Sequence, residues 1–196
     1  MTAFQKFMQI LIVEETPKVL PDYGKVPMAF RVETVFRVDL IENGLGGFAL
    51  TEEPVSKPFV KDYDDYEKPS EWAERFDLSN WGILSAFDGG KRVGGAVIAW
   101  NTPAVFMLEG EVTLACLWDL RVAPEHRGRG VGKLLFEKAV DWAKSRNCRL
   151  LKIETQNVNV PACRFYERRG CRLGGFNLHA YPEEMKEIAL FWYRKL

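Results

Sequence analysis

The run Arg127-Gly128-Arg129-Gly130-Val131-Gly132 joins an apolar stretch, Leu117-Trp118-Asp119-Leu120-Arg121-Val122, to residues of helical spacing over 133–146. A strand that turns through glycines into a helix leaves a cup of backbone N–H groups. The first four N–H groups of a helix lack internal partners, and the helix dipole adds partial positive charge there. Such a cup holds a pyrophosphate. Arg127 and Arg129 add formal charge at its rim. The first chemistry to read is therefore the binding of a phosphate-bearing ligand along residues 127–132.

Two familiar phosphate loops do not fit. The dinucleotide pattern Gly-x-Gly-x-x-Gly fails because Gly128, Gly130 and Gly132 are spaced by two throughout. The nucleoside-triphosphate loop requires Gly-Lys-Ser/Thr, but Leu134 follows Gly132-Lys133, so no hydroxyl is placed for a magnesium ion. The plain alternative is a tightly packed helix start that binds nothing.

A second motif follows about 27 residues after Gly132: Asn159-Val160-Pro161-Ala162-Cys163-Arg164-Phe165-Tyr166-Glu167-Arg168-Arg169-Gly170-Cys171. Arg127, Gly130 and Gly132 read as Arg-x-x-Gly-x-Gly. Together the two motifs resemble the acetyl-CoA loop and the second signature, Asn-x-x-Ala-x-x-Phe/Leu-Tyr-x-x-x-Gly-Phe, of the GNAT-type N-acetyltransferases. The resemblance is at motif level over residues 114–172 and extends loosely from residue 81 to the C-terminus. Cys171 stands where the family usually carries Phe, a change that bears on packing. Within the family, Thr155-Gln156-Asn157, Tyr181 and Leu190-Phe191-Trp192-Tyr193 are most similar to the streptothricin-type acetyltransferases.

The resemblance implies acetyl-CoA as co-substrate, its pyrophosphate on Arg127, Gly128, Arg129, Gly130, Val131 and Gly132. It implies that backbone groups near Leu120 and Val122 bind the pantetheine arm like an added strand, and that an N–H there serves the oxyanion. Asn159 is a candidate for the pantetheine or for capping its helix. Tyr166 is the candidate general acid, since a phenol with a pKa of about 10 can donate to a departing thiolate; a core tyrosine is the alternative. Asp119 and Glu154 are both candidate bases. Either could instead hold a substrate cation, or pair with Arg121 or Lys152, although adjacent strand residues face opposite ways and make near neighbours poor partners. The implied reaction is acetyl transfer to a primary amine of a small molecule, with a streptothricin-like antibiotic as the narrow expectation. Two alternatives stay open: an acyl-CoA-binding regulatory module without transferase activity, and a protein or peptide N-acetyltransferase.

These residues need elements to position them. Residues 8–13 read as a strand, followed by a loop punctuated by Pro17, Pro21, Gly24 and Pro27. Residues 30–38 and 47–53 read as strands, and 54–69 as an acidic, tyrosine-bearing loop. Residues 70–76 form a short helix with Ser70 as its cap. Residues 81–87 and 93–100 flank Asp88-Gly89-Gly90 as a hairpin. A strand over 113–122 enters the glycine loop, a helix spans 130–146, a short buried strand 150–154, and a helix 160–169 that Gly170 ends. Two strands, 172–181 and 187–193, close the chain. The expected fold class is α/β: a single-domain acetyl-CoA N-acyltransferase fold, its mixed, mostly antiparallel twisted sheet carrying helices on both faces and splitting between two central strands. Residues 1–28 are read as an N-terminal extension and 29–196 as the N-acetyltransferase domain, with its cofactor core at 111–172.

The chain has 196 residues and a formal net charge of zero, which argues against nucleic acid or an anionic membrane as a dominant partner. The charge is uneven. Eight acidic residues fall in 52–74 and eight basic ones in 121–149, so the acidic half could face a cationic substrate. Tyr63, Tyr66, Trp72 and Trp81 are candidates for the wall of a substrate groove or for core anchors. Cys116, Cys148, Cys163 and Cys171, with His126 and His179, show no metal-ligand spacing, so no metal is expected. Few cysteines, no secretory signal and no apolar run of membrane length give a cytoplasmic expectation. A homodimer is compatible with the sequence.

Overall fold

The computed structural model describes residues 9–196. Its main sheet has seven strands in the order β1-β4-β5-β6-β7-β9-β8. In chain order these are β1 (Ile10–Glu15), then, after the separate pair β2 (Phe30–Leu40) and β3 (Phe48–Lys61), β4 (Gly82–Asp88), β5 (Lys91–Trp100), β6 (Leu114–Val122), β7 (Leu150–Gln156), β8 (Arg172–Asn177) and β9 (Ala189–Lys195). The helices are α1 (Leu20–Tyr23), α2 (Trp72–Arg75), α3 (Val131–Lys144) and α4 (Val160–Arg168). Among the described residues, β6 and β7 form the only parallel pair of the main sheet.

The central strands are covered on both faces, so they read as continuous apolar runs. One face packs against α3 and α4 through Leu135, Phe136, Ala139, Trp142, Cys163 and Tyr166. The other packs against α1 and α2 through Leu20, Tyr23 and Trp72, with Trp81, just before β4, in the same cluster. Tyr23 lies so close over β5 that a Cβ on Gly95 would sit 2.2 Å from its ring. Only glycine leaves room there.

Residues 10–28 are part of this body and not an extension. β1 pairs with β4 along its length, and Leu20, Tyr23 and Val26 are buried. The expected strand start at Met8 lies outside the described residues. Pro17 and Pro21, read as loop punctuation, instead stand in the first turns of a 3-10 turn, Pro17–Val19, and of α1. Their missing N–H costs nothing there.

The loop expected over 54–69 is also corrected. β3 continues through Pro54 to Lys61. A two-stranded sheet leaves each strand one free edge, which tolerates proline. Val32 pairs with Phe59 and Thr34 with Pro54, so residues 55–58 bulge opposite Glu33. Ser70 does not cap the next helix. The N–H of Lys68 donates to Glu71 Oε2 at 3.1 Å, and a 3-10 turn precedes α2.

The β2–β3 hairpin is fastened to the main body by side chains. Asn157 donates its Nδ2 to the carbonyl of Phe36 at 2.8 Å and accepts the N–H of Ile188 at 2.9 Å. Lys61 and Glu187 form an ion pair at 2.5 Å, their side chains only 6% and 7% exposed. Arg164 on α4 reaches Glu52 on β3 at 3.0 Å.

Candidate active site

β6 and β7 pair only from Leu114 opposite Leu150 to Leu117 opposite Ile153. Beyond that point β6 stays on β5 and β7 stays on β9, so the sheet opens. The opening coincides with a bulge. Asp119 faces Val97 and Leu117 faces Ile98, which leaves Trp118 as the extra residue. A bulge re-aims the side chains that follow it. Trp118 joins the α1/α2 face, while Leu117, Leu120 and Val122 join the α3/α4 face.

Asp119 therefore meets Tyr23, whose hydroxyl donates to Oδ1 at 2.5 Å. Arg121 donates Nε to Oδ1 at 3.0 Å and Nη2 to Oδ2 at 2.7 Å. The same guanidinium reaches the carbonyl of Val26 at 3.0 Å and both carboxylate oxygens of Asp64 at 3.0 and 3.1 Å. The sequence expectation that near neighbours pair poorly is corrected here. Residues two apart on a strand share a face, and Arg121 is the partner of Asp119. Burial works against the charge of Arg121, and the flanking carboxylates outweigh it. Burial also raises the carboxyl of Asp64 above its usual range.

On the α3/α4 face the opening becomes a groove of about 570 Å³ that runs from Leu120 and Val122 past Gly128, Gly130 and Gly132. Gly130 caps α3 with φ 88°, and Gly128 has φ 73°. Both lie in the left-handed region that glycine adopts without strain. A Cβ at either would meet no protein atom within 4 Å, so the loop turns bare backbone toward the groove. Val131 is buried in the core, where its side chain anchors α3. Arg129 is exposed and outside the groove lining. Arg127 differs most from its expected role. Its Nε donates to the carbonyl of Val122 at 2.9 Å, and its Nη2 to those of Ala29 at 2.9 Å and Pro27 at 3.4 Å. It is a strut tying the loop to the segment before β2, and burial lowers its pKa. Lys133, Arg168 and Arg169 line the groove too, which the sequence reading missed. Cations on a helix face look like solvated surface until the neighbouring helix is in place.

On the other side the opening leads to a cavity of about 330 Å³. Tyr63, Tyr66, Trp72 and Trp118 supply aromatic wall, while Trp81 belongs to the core. Glu154 is exposed at this cavity and accepts a hydrogen bond from the hydroxyl of Tyr181. Gln156 donates to that hydroxyl at 2.8 Å. Burial, then the charge of Glu154, holds the Tyr181 phenol protonated well above its ordinary pKa. Asn159 does two jobs: Oδ1 accepts the N–H of Ala162 at 3.1 Å, capping α4, and Nδ2 donates to Tyr63 at 3.2 Å. Cys116 also reaches this wall, its thiol pushed up to about 12 by burial.

Tyr166 lines both spaces. Its ring packs against Phe136 and Phe165 at centroid distances of 5.8 and 5.2 Å. Burial raises its pKa well above 10, so it stays protonated throughout the neutral range. Among the described residues, no side chain hydrogen-bonds its hydroxyl. Two chambers thus meet at a split strand pair, with a phenol at the junction and a glycine-capped helix at one end. The sequence profile of the Acetyltransferase (GNAT) family matches residues 49–171. The chain belongs to the GNAT family.

Two relatives cover most of the chain. Streptothricin acetyltransferase A of Bacillus subtilis is 30% identical over 94% of this chain and 99% of the relative. Streptothricin acetyltransferase of Escherichia coli is 35% identical over 84% of each. Among solved GNAT structures, nourseothricin acetyltransferase superposes with a TM-score of 0.74 at 28% identity, covering 95% of this chain and 98% of that one. A Bacillus anthracis protein assigned as a streptothricin acetyltransferase, in complex with acetyl coenzyme A, gives 0.73 at 29% identity, covering 96% and 98%. The expected fold class and N-acetyltransferase activity stand on these matches together with the split sheet. Among the described residues, no helix is long and apolar enough to cross a membrane.

Proposed function

We propose that this N-acetyltransferase transfers the acetyl group of acetyl-CoA to a primary amine of a cationic small molecule of the streptothricin type. The observation that carries the acceptor class is the charge of the smaller cavity. Asp64, Glu67, Asp119 and Glu154 line it, against Arg121 alone. An ammonium is drawn to such a wall. The names of the relatives over most of the chain support the same class. The four free, buried cysteines fit a reducing, cytoplasmic setting.

The residues present fit acetyl-CoA. The glycine loop offers N–H groups to a pyrophosphate, and the β6 edge beyond Leu117, freed from β7, offers backbone to an extended arm. When bound, this donor supplies a thioester carbonyl to the junction. The division of labour then follows from access. Asp119 already accepts from Tyr23 and Arg121, so its place is in the frame. Glu154 is open to the cavity and takes the ammonium proton, directly or through water, while the Tyr181 hydrogen bond orients it. The amine nitrogen then bonds to the thioester carbon. N–H groups on the β6 edge face the developing oxyanion. As the C–S bond breaks, Tyr166 gives its proton to the sulfur, and the proton that the new amide nitrogen sheds returns through water to the phenolate.

Release of free CoA thiol, measured with streptothricin, aminoglycosides, polyamines, amino acids and short peptides, tests this reading. Streptothricin-dependent release is the expected result. Release with peptides alone would move the acceptor to proteins, and CoA binding without release would make the chain a binding module.

Replacing Glu154 with Gln should lower kcat/KM for the amine about tenfold at neutral pH. The deficit should shrink as pH rises toward the pKa of the amine, because free amine then no longer needs the base. A deficit that is flat with pH would assign Glu154 to binding alone.

A further inference from the structure

The donor groove does not end at the glycine loop. It reaches Lys133, Arg168 and Arg169. The same three residues line an adjoining cavity of about 300 Å³ between α3 and the end of α4, where Arg194 of β9 joins them. Glu137 and Asp141 also line this cavity, so four cations against two carboxylates leave a net charge of +2. Lys133 approaches Glu137 only at 3.8 Å. Among the described residues Arg168, Arg169 and Arg194 form no salt bridge. The Nε–H of Arg169 is buried with no hydrogen-bond partner. A buried donor without an acceptor is costly, and an incoming anion relieves it.

The placement of charge along the groove is informative. At the glycine loop the donors are backbone N–H groups, and Arg127 commits its Nε and Nη2 to carbonyl oxygens. Free formal charge is concentrated at the α3/α4 end. A phosphate monoester carries about −1.5 to −2 near neutral pH and presents three acceptor oxygens, which suits guanidinium groups that no carboxylate pairs, although Arg168 Nε already donates to the Arg164 carbonyl at 3.1 Å. We infer that this basic cavity is a phosphomonoester subsite that takes the 3′-phosphate of the donor's adenosine. The inference rests on acetyl-CoA being the donor. It makes Arg168 and Arg169 the residues that distinguish CoA from its 3′-dephospho form.

Calorimetric titration with CoA and with 3′-dephospho-CoA tests this on the unaltered protein. Binding of CoA at least about tenfold tighter is the expected result, since a charge-assisted contact is lost in the analogue. Arg168→Gln/Arg169→Gln should cut that preference to about threefold or less, with affinity for 3′-dephospho-CoA within about threefold of the parent. Adenosine 3′,5′-bisphosphate should displace CoA about tenfold better than ADP, and inorganic phosphate at millimolar concentration should not displace it. Equal affinity for the two donors would overturn the subsite, as would equal weakening of both by the double variant. Displacement by inorganic phosphate as effective as by the bisphosphate would reduce it to a general anion site. Binding of neither donor would overturn the acetyl-CoA reading itself, and the subsite with it.

Discussion

Replacing Tyr166 with phenylalanine is expected to lower kcat by about two to three orders of magnitude while leaving the Kd for CoA within roughly twofold. The ring would keep its packing between Phe136 and Phe165. No hydrogen bond among the described side chains would be lost, so stability should be unchanged or slightly higher. What disappears is the proton for the departing thiolate. Single-turnover measurement separates that step from product release. A thioester donor with a more acidic thiol should recover part of the loss, because its leaving group needs less protonation. An unchanged single-turnover rate would remove the acid role and make Tyr166 a core residue.

The second large effect is on the fold. Arg121 lies at the centre of a buried cluster, its side chain 1% exposed, joining β6 to Asp64, to α1 through Asp119 and Tyr23, and to the carbonyl of Val26. Arg121→Met should cost about 3–5 kcal/mol, because it strands two carboxylates in a low-dielectric site. For a chain of this length the melting temperature should fall by roughly 10 °C. The sign of the pH dependence follows. Unpaired buried carboxylates bind protons more tightly in the folded than in the unfolded state. The deficit should be largest at neutral pH and shrink as pH falls toward about 5. Thermal denaturation of both proteins across that range is the measurement. A variant within 1 °C of the parent would show that the cluster does not hold the site together.

The parts of the molecule that could be read from sequence are those governed by local rules. The glycine loop, the amphipathic α3, and Pro161 and Gly170 bounding α4 each carry their signal within a few residues. The split between β6 and β7 came from the family resemblance, and the pairing pattern bears it out. The misreadings come from long-range partners. Pro54 and Pro58 look like loop residues unless a strand is known to have a free edge. Alternation sends adjacent strand residues to opposite faces, but Asp119 and Arg121 are two apart and share one, so they pair. Arg127 lines the donor groove, and the part that sequence does not show is its anchoring to Val122 and to a segment about 100 residues away in the chain. Tyr181 shared only in the family likeness until the fold set it against Glu154.

The docking of the β2–β3 hairpin has a consequence for how this protein can change by descent. Tyr66, Glu67 and Trp72 line the proposed acceptor cavity without lining the donor groove, and all come from the segment that follows the hairpin and the short helix beside it. The donor groove takes Met28, Phe30 and Tyr63 from the hairpin side and the rest of its lining from β6 through the end of α4. The hairpin is held by a few discrete fasteners: Asn157, the Lys61–Glu187 pair and the Arg164–Glu52 pair. Mutations in the first set alter which amine is admitted and leave the second set intact. Selection can therefore explore new acceptors one wall residue at a time, in a lineage that never loses its hold on the acyl donor.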